Sequence, residues 1–241
     1  MIRYKLTDQA MQTYNGFQWE LGKTYTTSGE GKLCTKGWLH VYDSPELAAF
    51  LNPIHADIKD PRLFECECSG KTKDDNGLKR GYSSVTLTKE LPLPVITITQ
   101  RVAFGIMCAK VVCTNEKWLK WADDWLSGKD RSAAAARAAY AAAAKAAAAA
   151  AEEAAAAAAA KAAAVEWAEE AAWAAAWAAA AAAEEAKIDL VAIAKKASLF
   201  GRSRAMKIIC WFFKHKPHEL YDPDDKYVNK WMCTRCLKFW R

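Results

Sequence analysis

Four residues near the C-terminal end have the types and spacing of a metal site: Cys210, His215, Cys233 and Cys236. Cys210 and His215 are separated by four residues, Cys233 and Cys236 by two, and 17 residues lie between the pairs. Two close pairs are the two knuckles of a structural zinc ribbon, in which thiolates and an imidazole complete a tetrahedron around Zn2+. His218 is the alternative histidine ligand. A redox Cys-x-x-Cys needs its first thiolate at a helix N-terminus, and the five residues after Cys236 are too few to supply a stable helix. A disulfide is disfavoured where no secretory signal is visible. Ile208, Ile209, Trp211, Phe212, Phe213, Trp231, Phe239 and Trp240 make so small a core that this unit needs its metal to fold.

The same segment carries the positive charge. Of the net +6, residues 187–241 contribute 13 basic against 5 acidic side chains, residues 1–132 contribute 18 against 16, and residues 133–186 contribute 3 against 7. Lys207, Lys214, Lys216, Lys230, Arg235, Lys238 and Arg241 are interleaved with aromatic residues, which suits either a partner protein or the phosphates and bases of a nucleic acid.

Elsewhere the reactive residue types are sparser. Cys66 and Cys68 fall on one face of an alternating strand, where a second metal site with His40 is conceivable, although buried free cysteine is the commoner role. A nucleophile built from Cys34 and His40, with Glu65 nearby, lacks an orienting third group at recognisable spacing. "SGEGKL" has neither the spacing of a phosphate loop nor a serine or threonine after its lysine. The expectation is therefore a protein without catalytic residues.

The elements that must position these groups read as an α+β fold. "NGFQWELGKTY" and "GKLCTKGWLHVY" are short strands punctuated by glycine, and "RLFECECSG" and "SSVTLTKEL" are alternating strands separated by a loop, "KTKDDNGLKRG". The pattern makes "RLFECECSG" half-buried, with Phe64, Cys66 and Cys68 on one face. Ser44 and Pro45 open a short helix over "ELAAFL". "PLPVITITQRVAFGIMCAKVVC" is rich in β-branched residues, yet Val95, Ile98, Val102 and Ile106 have helical spacing, and helix is the preferred reading. "EKWLKWADDWLSG" is a helix with a stripe of Trp118, Trp121 and Trp125, ended by Gly128.

After Ser132, a capping residue, comes a tract in which 39 of the 54 residues from Ala133 to Ala186 are alanine. It accounts for much of the 52% hydrophobic content while offering little burial energy, so the core lies elsewhere. With no glycine or proline before Gly201, residues 133–199 are able to form one helix of roughly 100 Å. A hairpin, or packing against a second copy, is the alternative to such a rod, and a low-complexity spacer is the bland reading. Its longest uncharged stretch, Ala171 to Ala183, has 13 residues, short of the roughly 18 that cross a bilayer. The N-terminal residues lack a signal-peptide pattern. The expectation is a soluble intracellular protein.

The succession "GFQWELGKTY", "GKLCTKGWLH", "SPELAAFL", "RLFECECSG" and "SVTLTKEL" resembles a family of uncharacterised domains found mainly in phage and prophage proteins, over about residues 2–112. The family's middle motif joins a glycine, an aromatic residue, a histidine, and a small residue followed by cysteine. Here it reads "GWLHVY", with an extra residue before His40 and no cysteine after it. Alanine-rich tracts commonly follow the domain, and the resemblance implies a viral origin without an established activity. The expected organisation is a mixed α+β domain (1–112), a tryptophan-rich helix (113–128), an alanine-rich helical region (129–204) and a zinc-ribbon-like domain (205–241). The expected function is that of a non-enzymatic phage accessory protein acting in the host cytoplasm. It would bind and modulate a host protein or protein–nucleic-acid complex, such as a defence complex. Nucleic-acid binding through the ribbon, and a virion or scaffold role with self-association through the alanine tract, are the alternatives.

Overall fold

The computed structural model describes residues 1–132, 134–138, 180, 183 and 188–201, together with the backbone of two short strands, His218–Leu220 and Lys230–Met232. Its two compact units are Met1–Ser198 and Leu199–Arg241. All four expected metal ligands, the basic residues assigned to partner contact other than Lys230, and most of the alanine tract lie outside the described residues.

The first unit is α+β, as the alternation and helical spacing require. Its strands are β1 (Ile2–Thr7), β2 (Gln12–Thr13), β3 (Phe17–Gln18), β4 (Thr24–Thr26), β5 (Leu39–Val41), β6 (Arg62–Asp74) and β7 (Arg80–Leu91). Its helices are α1 (Pro45–His55), α2 (Ile98–Val112), α3 (Glu116–Ser127) and α4 (Leu190–Ser198). β6 and β7 form a long antiparallel hairpin. β1 pairs with the start of β6, and β4 and β5 pair with successive parts of β7. A bridge between Tyr4 and Tyr42, through Tyr4 N to Tyr42 O at 3.0 Å and Tyr42 N to Tyr4 O at 2.7 Å, joins β1 to the end of β5. The succession β1-β6-β7-β5-β1 thus closes into a small barrel-like ring, and closure hides backbone groups that an open edge would expose.

Two apolar clusters follow from the alternation of side chains along these strands. Trp19, Leu39, Val41, Phe64, Cys66, Cys68, Tyr82, Val85 and Leu87 fill the ring. Leu6, Leu63 and Tyr42 face outward and meet Leu47, Phe50 and Leu51 of α1, Phe104 and Cys108 of α2, and Leu190, Ala194 and Ala197 of α4. The start of β6 is consequently buried on both faces, with Leu63 and Phe64 each about as inaccessible as the other, rather than half-buried as its alternation suggests.

Several local expectations are met by specific caps. Ser44 Oγ accepts from Leu47 N at the start of α1, Thr97 and Gln100 form a reciprocal capping box on α2, and Asn115 caps α3, which Gly128 ends at φ 78°. The capping box and the prolines before it start α2 at Ile98, leaving Val95 outside the helix and exposed. Pro53 sits inside α1 and cannot donate to the carbonyl of Ala49. Arg101 Nη1, from α2, donates to that carbonyl at 3.2 Å and replaces the missing bond.

Two segments differ from the sequence pattern. Most of "KTKDDNGLKRG" belongs to β6 and β7, and only residues 75–79 form the turn, with Asn76 and Gly77 at positive φ. Residues 69–74 are exposed on both faces, so they carry no alternation to read. Conversely, "GKLCTKGWLHVY" contributes only Leu39–Val41 as strand, and the preceding residues are loop.

The alanine-rich region does not run to residue 199 as one helix. Residues 134–138 are helical, with Ser132 Oγ accepting from Ala135 N. Ile188 and Asp189 are not helical, and α4 starts afresh with Asp189 Oδ1 accepting from Ala192 N. α4 then packs on α1 and α2, and the buried side chain of Gln100 donates through Nε2 to Ser198 O. Among the described residues, no helix is long and apolar enough to cross a membrane. In the second unit, His218–Leu220 pairs antiparallel with Lys230–Met232, setting His218 opposite Met232.

Because Leu190, Ala194 and Ala197 complete the outer cluster, a chain ending at Lys129 should be several kcal/mol less stable than one ending at Gly201, the scale for losing that many buried apolar side chains. Chemical denaturation of the two chains measures this, and equal midpoints would show that α4 contributes nothing.

Candidate functional site

β1 alternates, so Tyr4 and Leu6 face the helices while Lys5 and Thr7 face the interior of the ring. Lys5 stands opposite Phe64 and is 7% exposed. Its Nζ donates to the carbonyl of His40 at 2.7 Å and lies 4.6 Å from the centre of the Trp19 ring. Trp19 is 1% exposed and donates through Nε1 to Thr13 Oγ1 at 3.0 Å. Burial penalises the ammonium and lowers its pKa to about 8, partly countered by the neighbouring Cys66 and Cys68. Burial pushes those thiols the other way, Cys66 to about 12 and Cys68 to about 11. They are free, protonated and inert at neutral pH.

Over the outer side of the ring lies the loop of residues 27–38, which joins β4 to β5. Gly29 N donates to Gly37 O at 3.0 Å, and Thr27 Oγ1 donates to the same oxygen at 2.8 Å, so the ends of the loop meet. Trp38 Nε1 donates to Gly31 O, and Thr35 Oγ1 to Lys32 O. Gly37 is required by close approach: a Cβ there would lie 2.1 Å from Glu30 O. Leu33 and Trp38 turn inward over Gly81, whereas Lys32, Cys34, Thr35 and Lys36 are exposed.

His40 Nε2 lies 2.6 Å from the carbonyl of Leu33. A carbonyl only accepts, so the neutral ring carries its proton on Nε2 and holds the loop. Burial lowers its pKa, and the bond to Leu33 opposes that shift. His55 stacks on Tyr42 at 5.8 Å, and burial lowers its pKa to about 3. On the ring's rim, Asp43 pairs with Arg3 and Arg80, each at 2.9 Å, and Arg80 also reaches Asp74.

The metal grouping of Cys66 and Cys68 with His40 is not brought together, whereas the bond from His40 to the carbonyl of Leu33 places the exposed Cys34 next in the chain to it. Leu39 and Val41 face the ring interior with Cys66 and Cys68, so His40 faces the opposite side. His40 stands beside Gly81, which stands beside Lys73. Glu65 stands beside Tyr4, across the Tyr4–Tyr42 bridge from the strand that carries His40, so the two are not neighbours. Among the described residues, no three histidine, cysteine or acidic side chains gather closely enough to hold a metal ion. Lys5 and Trp19 escaped sequence reading: alternation alone puts Lys5 on a face with Arg3 and Thr7, and only long-range pairing turns that face inward.

The exposed apolar residues of the unit include Tyr14, 88% exposed at the tip between β2 and β3, with Phe17 and Leu21 following it. Phe17 leans against Trp19 and Tyr25, with ring centres 5.0 and 5.3 Å away. The buried ring that Lys5 braces thus supports an aromatic hairpin at the surface.

Residues 1–99 match a family described as "Domain of unknown function (DUF7666)". The match spans the ring and α1 and ends at the start of α2, in keeping with an uncharacterised domain family. No curated protein and no solved structure matches the chain.

Between pH 8 and 10.5 the folded protein binds fewer protons at Lys5 than the unfolded chain, so this group makes stability rise with pH across that window. Above pH 9 the unfolded thiols ionise while Cys66 and Cys68 stay protonated, which makes stability fall. Cys108, buried among the helices, is pushed up in the same way, so three thiols oppose the lysine and its contribution shows as a difference between two proteins. From pH 8 to 9 the unaltered protein should gain stability relative to Lys5→Met by up to about 1.4 kcal/mol per unit, measured by denaturation of both; a difference that stays constant with pH would show that Lys5 does not titrate in this window.

Proposed function

We propose that this protein is a non-enzymatic accessory protein of phage origin that binds and modulates a host macromolecule, with the hairpin of Tyr14, Phe17 and Leu21 as its contact surface. The observation that carries the reading is the contrast between interior and surface. The groups with chemical potential, Lys5, His40, Cys66 and Cys68, are committed to holding the ring and its loop. The large aromatic side chain of Tyr14 is exposed with no structural duty among the described residues. Exposed aromatic residues on a rigid support are what binding hot spots consist of. The family match covers the part of the chain that contains this hairpin. A tagged chain expressed in infected host cells should retain a partner that Tyr14→Ala/Phe17→Ala loses while keeping its melting temperature. Retention of the same partner by the double variant would overturn the assignment of the surface.

A second reading concerns the basic C-terminal segment, as a zinc ribbon that contacts nucleic acid or a protein–nucleic-acid complex through Lys207, Lys214, Lys216, Lys230, Arg235, Lys238 and Arg241. Cys210, Cys233 and Cys236 with His215 or His218 would hold Zn2+. The pairing of His218 with Met232, the residue before Cys233, supports a hairpin that leads into the second close pair. Elemental analysis should give one zinc per chain, lost in Cys233→Ser/Cys236→Ser and in His215→Ala; retention in His215→Ala with loss in His218→Ala would make His218 the fourth ligand. Absence of stoichiometric metal from the unaltered chain would remove this reading.

A further inference from the structure

The loop of residues 27–38 and the distal end of the β6–β7 hairpin form a surface that neither proposed contact region uses. Four lysines gather there, Lys32 and Lys36 on the loop and Lys71 and Lys73 on β6, against one acid, Glu30. Lys71 Nζ pairs with Glu30 at 3.2 Å and Lys73 Nζ donates to Gly31 O at 3.2 Å, so both lysines of β6 are drawn to the loop. The nearest acids of the hairpin are already engaged, Asp74 with Arg80 and Asp75 with Lys79. Lys32 and Lys36 are exposed and have no carboxylate partner among the described residues. This local surplus exceeds the whole excess of 18 basic over 16 acidic side chains in residues 1–132, so charge is segregated onto one face rather than spread.

We propose that this loop, with Lys73 beside it, binds the phosphodiester backbone of a nucleic acid. The platform is preorganised: its ends are bonded to each other, His40 and Trp38 hold its middle, and Leu33 anchors it on Gly81. Its positive charges are all lysine, compact ammonium groups suited to phosphate without base geometry. The exposed tip offers Lys32, Cys34, Thr35 and Lys36 and no aromatic or large apolar side chain, so it lacks the buried anchors on which an acidic protein partner would depend. Contact with backbone alone makes the binding independent of sequence and sensitive to salt.

The test is fluorescence anisotropy of a labelled 20-nucleotide thymidine oligomer and a labelled duplex with the full chain, across a salt series. Lys32→Glu/Lys36→Glu should weaken binding at least about tenfold and lower the salt slope by about 0.7 per lysine on the single strand. The same loss should appear when Lys230, Arg235 and Lys238 are also replaced by glutamate, which separates the loop from the C-terminal reading. Where the glutamate pair perturbs the melting temperature, Lys32→Gln/Lys36→Gln should give a smaller loss of the same sign. Unchanged affinity in the loop variants, no binding by the unaltered chain, or displacement by polyglutamate as readily as by unlabelled oligomer would each overturn the proposal; loss in the C-terminal variant alone would do so while sparing the ribbon reading.

Discussion

A single buried ammonium organises the first unit. Lys5 reaches from β1 across the ring interior to the carbonyl of His40 on β5, close to where the Tyr4–Tyr42 bridge joins the same two strands. Burying an unpaired charge is costly, and here no carboxylate offsets it. The compensation is a carbonyl acceptor and the face of Trp19. That arrangement demands that β1, β5 and the hairpin bearing Trp19 be placed together, so one side chain couples ring closure to the seating of the surface aromatics. It also explains why Cys66 and Cys68 remain thiols: the apolar surroundings that depress the lysine disfavour thiolates.

The two faces of β1 and β6 divide the remaining work. Inward residues fill the ring, and outward Leu6 and Leu63 provide the floor on which α1, α2 and α4 sit. Contacts between those helices repair local deficits. Arg101 supplies the donor that Pro53 lacks, and Gln100 both closes its own helix start and reaches Ser198. The bonds from Arg101 to Ala49 and from Gln100 to Ser198 join residues far apart in the chain, so the helical layer is cooperative.

Much of this layout was legible from short-range signals. Ser44, Thr97, Asn115 and Gly128 are caps whose roles depend on a few neighbouring residues, and the strands over "FECEC" and "VTLTK" alternate because one face of each meets a core. Signals failed where the environment is unusual. Residues 69–74 form a strand exposed on both sides, Leu63 and Phe64 are buried on both, and Lys5 is polar where an apolar residue is expected. The helical reading of α2 held despite its β-branched residues because Thr97 and Gln100 nucleate it. Composition concealed the most: an uninterrupted alanine-rich sequence gives no hint that Leu190 belongs to the same core as Leu47.

The late position of α4 bears on how the protein is made. Ser198 follows Ser127 by 71 positions, several seconds of translation at about 5–20 residues per second. Through that interval α1 and α2 exist with their α4-facing side chains bare, while the ring, assembled from residues before Leu91, is already complete. The nascent chain therefore presents a finished barrel beside an uncovered apolar flank, a window in which a chaperone, or a neighbouring nascent copy on the same polysome, has access to a surface that the mature fold conceals.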